Sequence, residues 1–186
     1  MGRSFANLHV KSKNLEKTVE ALRELSEGHP TVLGKKAQET KVVMSVSKSN
    51  EDWISVLHDY FVWGTVKRIG KMLSQLIEGP VMTAGYMNEE IFELSIFEDG
   101  DIQAERIFCE QWTRDEYELQ EERLNDDYLR EALDIRNEDF DDFTRITSPE
   151  QAVDKLSDLV KMSLWSDSEW IPHEETLRNR FREYEF

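Results

Sequence analysis

The groups through which this chain could do chemistry are four histidines, one cysteine and 39 carboxylates. Cys109 stands alone, so neither an internal disulfide nor a Cys-x-x-Cys redox pair can form. It would serve as a nucleophile only if the fold brought His9 or His58 beside it, and a buried or edge cysteine is the simpler reading. No Gly-x-Ser-x-Gly elbow and no dinucleotide fingerprint occurs. "GTVKRIGKM" carries Gly64, Gly70 and Lys71 in the outline of a phosphate-binding loop. Its glycines are one residue too far apart, and Met72 stands where Ser or Thr must meet magnesium. Dense acids raise the question of calcium. "NEDFDDFTRITS", from Asn137, alternates oxygen-bearing residues but lacks the central glycine and the closing glutamate that a calcium loop demands. By motif, the sequence assigns no catalytic residue, no metal and no cofactor.

One histidine on a strand, followed by a capped helix, leaves an opening. "NLHVKSKNLEKTVEALREL", residues 7–25, resembles the first βα unit of the glyoxalase-like (vicinal oxygen chelate) family. There a histidine on the first strand is a metal ligand, and an Asp- or Asn-Leu-Glu stretch caps the helix that follows. His9, Asn14, Leu15 and Glu16 match that pattern. The resemblance implies a metal-dependent enzyme with His9 as a ligand and further ligands from other strands, for which His58 and Glu93 or Glu98 are available. It also implies paired β-α-β-β-β units. Residues 53–108 run in that order, whereas the opening unit has fewer strands. Without the family, a lone strand histidine is more often a half-buried structural residue.

Charge is the most unevenly spread property. Residues 99–143 hold 17 acids against 5 bases, a net −12 out of −16 for the chain. Asp115, Glu116, Glu118, Glu121, Glu122, Asp126 and Asp127 concentrate it. Such runs are usually solvated helix faces. The functional alternative is an acidic docking surface that steers a basic protein partner. Nucleic acid and anionic membrane are poor partners for this region, because phosphates need positive charge. Aromatic residues cluster too. Trp53, Tyr60, Phe61 and Trp63 crowd one strand and its exit, and Trp112, Trp165 and Trp170 crowd the C-terminal part. Core packing is the plain explanation. The alternative is a ligand pocket or an interface, with Trp53, Tyr60, Phe61, Trp63, Trp112 and Trp165 as its candidates and "FVWG" at 61–64 as its most exposed piece.

Elements must position these residues. Residues 5–11 read as a strand, and Asn14 caps a helix whose Leu15, Val19, Leu22 and Leu25 recur at helical spacing up to a terminal Gly28. A loop over 29–40 precedes two strands, 41–47 and 53–61. A second helix over 64–79 carries Val66, Ile69, Leu73, Leu76 and Ile77 on one face and stops at Gly79-Pro80. A strand at 81–87 follows, then a hairpin over 90–109 turned by Asp99-Gly100. Beyond it, 113–124 and 125–135 read as helices, the first capped by Thr113 with Glu116. Ser148 and Pro149 open a strong helix over 148–165, and 173–186 reads as a last amphipathic helix.

The expected architecture is therefore α+β. A two-layer ferredoxin-like sheet of β-α-β-β-α-β order, extended by a C-terminal hairpin, occupies 1–110, and an acidic, mostly helical region occupies 111–186. The two halves of the sheet repeat in form, not in residues. An apolar content of 39% supports a folded chain. No stretch approaches the ~20 apolar residues of a membrane span. "MGRSFANLHV" lacks signal-peptide architecture, and Ala6 stands where a myristoylation signal wants Ser or Thr. The function expected is that of a non-enzymatic cytoplasmic protein of bacterial type. It would bind a small ligand or a basic protein partner, or pair as a homodimer, with no nucleic acid and no membrane. The alternative is the metal-dependent enzyme that the resemblance implies.

Overall fold

The computed structural model describes residues 3–29, 33 and 42–186. The loop expected over 29–40 lies outside these apart from His29 and Leu33, as does Lys41 at the head of the next expected strand. β1 spans Phe5–Lys11. α1 spans Leu15–Gly28, where Asn14 Oδ1 accepts the Lys17 amide at 3.0 Å. Gly28 is the last helical residue, two positions short of the C′ site expected for it, and the His29 amide closes the helix onto Leu25 O. β2, Val43–Lys48, and β3, Trp53–Leu57, form a hairpin held by Asn50 Oδ1, which accepts the amides of Asp52 and Trp53. β3 stops at Leu57, short of the expected Phe61. α2, Val66–Leu73, is also shorter than expected, because Ser74 turns its hydroxyl back onto Lys71 O and the chain leaves the helix there.

β4, Val81–Met87, β5, Ile91–Glu98, and β6, Asp101–Phe108, follow. Asp99 and Gly100 both take positive φ, 51° and 80°, as a tight hairpin turn requires. α3 spans Gln111–Glu116, not 113–124, and Thr113 is buried inside it, not capping it. Glu118, with φ of 53°, reverses the chain, and residues 119–125 then run along β6. The Glu105 amide donates to Arg123 O at 2.8 Å and the Glu122 amide to Glu105 Oε1 at 2.8 Å. β6 is an edge strand, and satisfying its open backbone groups outweighs helix propensity in this segment.

α4 (Asp126–Leu133), α5 (Asn137–Thr144) and α6 (Pro149–Val160) come next. Ser148 caps α6 and Pro149 opens it, and a left-handed Lys161 ends it before the expected Trp165. The expected final helix is replaced. A 3-10 turn over Ser168–His173, a short α7 (Glu175–Arg180) and β7 (Arg182–Glu185) complete the chain, with β7 antiparallel to β2.

Among the described residues, seven strands form one sheet in the order β6-β5-β4-β1-β3-β2-β7, every neighbouring pair antiparallel. α1 and α2 cover one face through Leu22, Leu25, Val66, Ile69 and Leu73. On the other face, Phe5, Tyr86, Phe92, Leu94 and Phe108 pack against Leu129, Phe143, Val153 and Leu156 of α4–α6. The sheet thus lies between two helical layers instead of presenting one face to solvent. That explains why β1, β4 and β5 are buried along almost their whole length.

Candidate functional site

β3 ends where "HDYFVWG" begins, and this stretch folds into a compact turn. The Thr65 hydroxyl donates to Tyr60 O at 2.6 Å and accepts the Val62 amide at 3.2 Å, and Gly64 supplies a φ of 106°. The turn buries Phe61 and lays Trp63 against β4. Gly85 makes that approach possible, since a Cβ there would stand 3.1 Å from Trp63 Cδ1 and 3.4 Å from its Cα. Beside Trp63, Tyr86 stacks on Phe5 with ring centroids 4.9 Å apart, and Trp165 meets both rings edge-on.

Phe5, Phe61, Trp63 and Tyr86 line a pocket of about 250 Å³, together with Asp59, Asp167 and Glu169. The acids are fixed by the fold. Asp167 caps the 3-10 turn through the Glu169 amide at 3.0 Å, while its other oxygen accepts the Ala6 amide of β1 at 3.1 Å. Asp59 accepts the Ser168 hydroxyl at 2.6 Å, tying the two turns together. Among the described residues, none of the three is in an ion pair. Burial, aided by Glu169 and Asp59, raises the Asp167 pKa above the usual carboxylate value against the pull of its two amide donors. Two polar atoms of the lining residues, Trp63 Nε1 and Tyr86 Oη, are buried with no hydrogen-bond partner. Burial pushes the Tyr86 phenol up to about 12, so it stays neutral. The pocket is lined by aromatic residues from both faces of the sheet and by three carboxylates, which give it surplus negative charge. That suits a cation, and its lining includes no nucleophile–base pair.

Of the aromatic residues singled out from sequence, Phe61 and Trp63 line this pocket and Trp165 backs it through Phe5 and Tyr86. Tyr60 lies on the exposed side of the same turn. Trp53 is core, with Lys11 Nζ 5.8 Å from its ring, and Trp112 is 60% exposed on α3. Phe5, Tyr86, Asp59, Asp167 and Glu169 escaped notice because they come from separate segments. The one local sign was "DSE" at 167–169, a capping pattern.

The acidic run is arranged differently. Arg114 pairs with Glu121 at 2.6 Å, Arg106 grips Asp126 with two bonds of 2.9 and 2.5 Å, and Lys67 reaches Glu122 at 3.1 Å. Asp115 accepts a side-chain bond from Gln111. Glu116, Glu118 and Asp127 are exposed. Lys67 also pairs with Glu105 at 2.6 Å, a carboxylate 1% exposed that accepts the Ser95 hydroxyl at 2.7 Å. Glu93 lies nearby, and burial pushes its pKa to about 7 despite the Lys67 charge.

His9 is wholly buried and committed at both ring nitrogens. Its Nε2 faces Asn7 Oδ1 at 2.6 Å and its Nδ1 faces Ser55 Oγ at 2.7 Å. Asn7 Nδ2 donates to the carbonyls of Leu164 and Ser166, so Asn7 Oδ1 must accept and His9 carries its proton on Nε2. Ser55 bonds Ser49 in turn, and Ser49 accepts the Ser163 amide. Burial holds the His9 pKa down to about 3. The relay ties β1 and β3 to the segment after α6 and leaves no ring lone pair open for a metal. His58 likewise has both ring nitrogens near carbonyls, Val43 O and Leu33 O. Among the described residues, no three of His, Cys, Asp and Glu gather as a metal would need. Searched against known protein families, characterised proteins and solved structures, the chain matches none.

Proposed function

We propose that this protein is a binding module that receives a basic side chain, arginine above lysine, presented by a protein partner. The observation that carries the reading is a pocket lined by four aromatic residues and three carboxylates, none of which is in an ion pair among the described residues. Aromatic faces attract cations, and a planar guanidinium stacks on them better than an ammonium does. The adjoining surface already holds one, since Arg3 Cζ sits 4.5 Å over the Trp165 ring. The magnitudes favour a protein over a free amino acid. Exposed charge pairs contribute about 0.2–1 kcal/mol each and a cation–π contact about 0.5–2. Together they support roughly millimolar binding of one side chain, so a useful affinity needs flanking contacts. Exposed Tyr60 and Val62 beside the mouth are suited to supply them.

We also read β4-β1-β3-β2 with α1 and α2 as a ferredoxin-like unit, supported by the strand order and the antiparallel pairing. The core shared by residues 1–110 and 111–186 supports reading both parts as one folding unit. The lone buried Cys109 supports a reducing, cytoplasmic setting.

The test is a proton–nitrogen NMR titration that follows the Trp63 indole N–H. Acetyl-Gly-Arg-Gly-amide is expected to shift that signal saturably, the lysine peptide to shift it less, and the glutamate peptide to leave it in place. An unmoved indole with the arginine peptide, or an equal response to the glutamate peptide, sinks the reading.

A further inference from the structure

A second concavity carries the opposite charge. It has a volume of about 430 Å³ and is lined, among the described residues, by Ser47, Lys48, Ser49, Lys161, Met162, Ser163 and Arg180, with no Asp or Glu among them. Lys48 ends β2, Lys161 ends α6 and Arg180 ends α7, so three elements distant in sequence bring three bases together. Among the described residues, none of the three has a carboxylate within salt-bridge distance. In a chain of net charge −16, bases gathered without acids are unexpected as a device for solubility. Like charges so grouped repel one another until an anion arrives.

We propose that this concavity binds a phosphate monoester. Arg180 Nη1 reaches Ser163 Oγ at 3.5 Å, which places the guanidinium at the rim. Among the described residues the hydroxyls of Ser47 and Ser163 donate no hydrogen bond, and Ser163 Oγ accepts only from Arg180. Ser49 differs, because it bonds Ser55 and accepts the Ser163 amide. The carbonyl end of α6 would oppose an anion, but it is muted: Lys161 N–H occupies Ser157 O and Asn50 Nδ2 occupies Val160 O at 2.9 Å. The distant acids matter little, since the screening length is about 8 Å at physiological salt. Three bases more than offset the two negative charges of a phosphate dianion, and two hydroxyls add donors for its oxygens. The volume leaves room for the alcohol it esterifies.

The experiment titrates inorganic phosphate, O-phosphoserine and acetate into the full chain at pH 8, with ionic strength held constant by potassium chloride. Backbone amide shifts at Ser47, Lys48, Ser163 and Arg180 report the site. Both phosphates are expected to bind saturably there, and acetate at least tenfold more weakly. Combining Lys161→Gln with Arg180→Gln is expected to weaken phosphate binding by tenfold or more. Absence of a saturable shift, equal binding of acetate, or full affinity in the double variant overturns the site. Exclusion of O-phosphoserine overturns the monoester. If the double variant fails to fold by circular dichroism, Lys48→Gln at the strand end takes its place, and the wild-type shift map alone still decides.

Discussion

Two regions of this molecule are rich in carboxylates, and they use them in opposite ways. In the run from Asp115 to Asp127, the strongest contacts are internal. Glu121, Glu122 and Asp126 are held by Arg114, Lys67 and Arg106, which fasten the segment to the sheet edge. Around the aromatic pocket, Asp59, Asp167 and Glu169 are fewer, yet none is in an ion pair among the described residues. Acid density along a sequence measures how much charge is present. Pairing decides how much of it a partner can feel.

The comparison breaks most visibly if the paired acids are not structural. Lys67→Met leaves Glu105 buried without its cation, and is expected to cost about 3–5 kcal/mol in urea unfolding at pH 8. A loss under about 1 kcal/mol would mean that the carboxylate finds solvent.

The next effect concerns pH. The Glu93 carboxyl titrates near 7 when folded, above its ordinary value of 4.5. Between those values the folded state holds the extra proton, so this group's contribution is present at low pH and is lost as pH rises through about 7. Glu93→Gln should therefore gain on the order of 2 kcal/mol at pH 8 and little at pH 5. His9 works the other way. Its pKa is depressed from 6.5 to about 3, so its contribution is present above 6.5 and is lost as pH falls toward 3. With Glu93 removed, stability should fall more steeply below pH 6.5 than in the parent, as urea midpoints across pH 4–8 would report. Identical pH profiles would contradict both assignments.

A smaller effect sharpens the pocket. Gly85→Ala places a methyl against Trp63 and is expected to destabilise by about 1–3 kcal/mol while moving the Trp63 indole resonance. A silent resonance would detach Trp63 from β4.

Much of the frame was legible because its signals are local. Asn14, Asp99-Gly100 and Ser148-Pro149 each act within four residues, and each sits where its chemistry dictates. The misread parts answer to distant partners. "REYE" at 182–185 is too short to declare a strand and becomes one because β2 offers an open edge. Residues 119–125 leave the helical pattern because β6 offers another. The candidate site was half legible for the same reason. Phe61 and Trp63 stood out as neighbours in sequence, whereas Phe5, Tyr86, Asp59 and the 167–169 acids join them only through the sheet and the returning C-terminal segment. His9 looked open to chemistry until Asn7 and Ser55 were found on its two nitrogens.

The most direct test sets the two acidic regions against each other by calorimetry, with a peptide carrying one arginine and apolar flanks. Neutralising the pocket by Asp59→Asn and Glu169→Gln is expected to weaken binding about tenfold, roughly 1.4 kcal/mol. Neutralising the exposed remainder of the run by Glu116→Gln, Glu118→Gln and Asp127→Asn is expected to change it by less than about twofold, within the range of screened surface charge. The reverse order, with the run governing affinity and the pocket indifferent, would contradict the account.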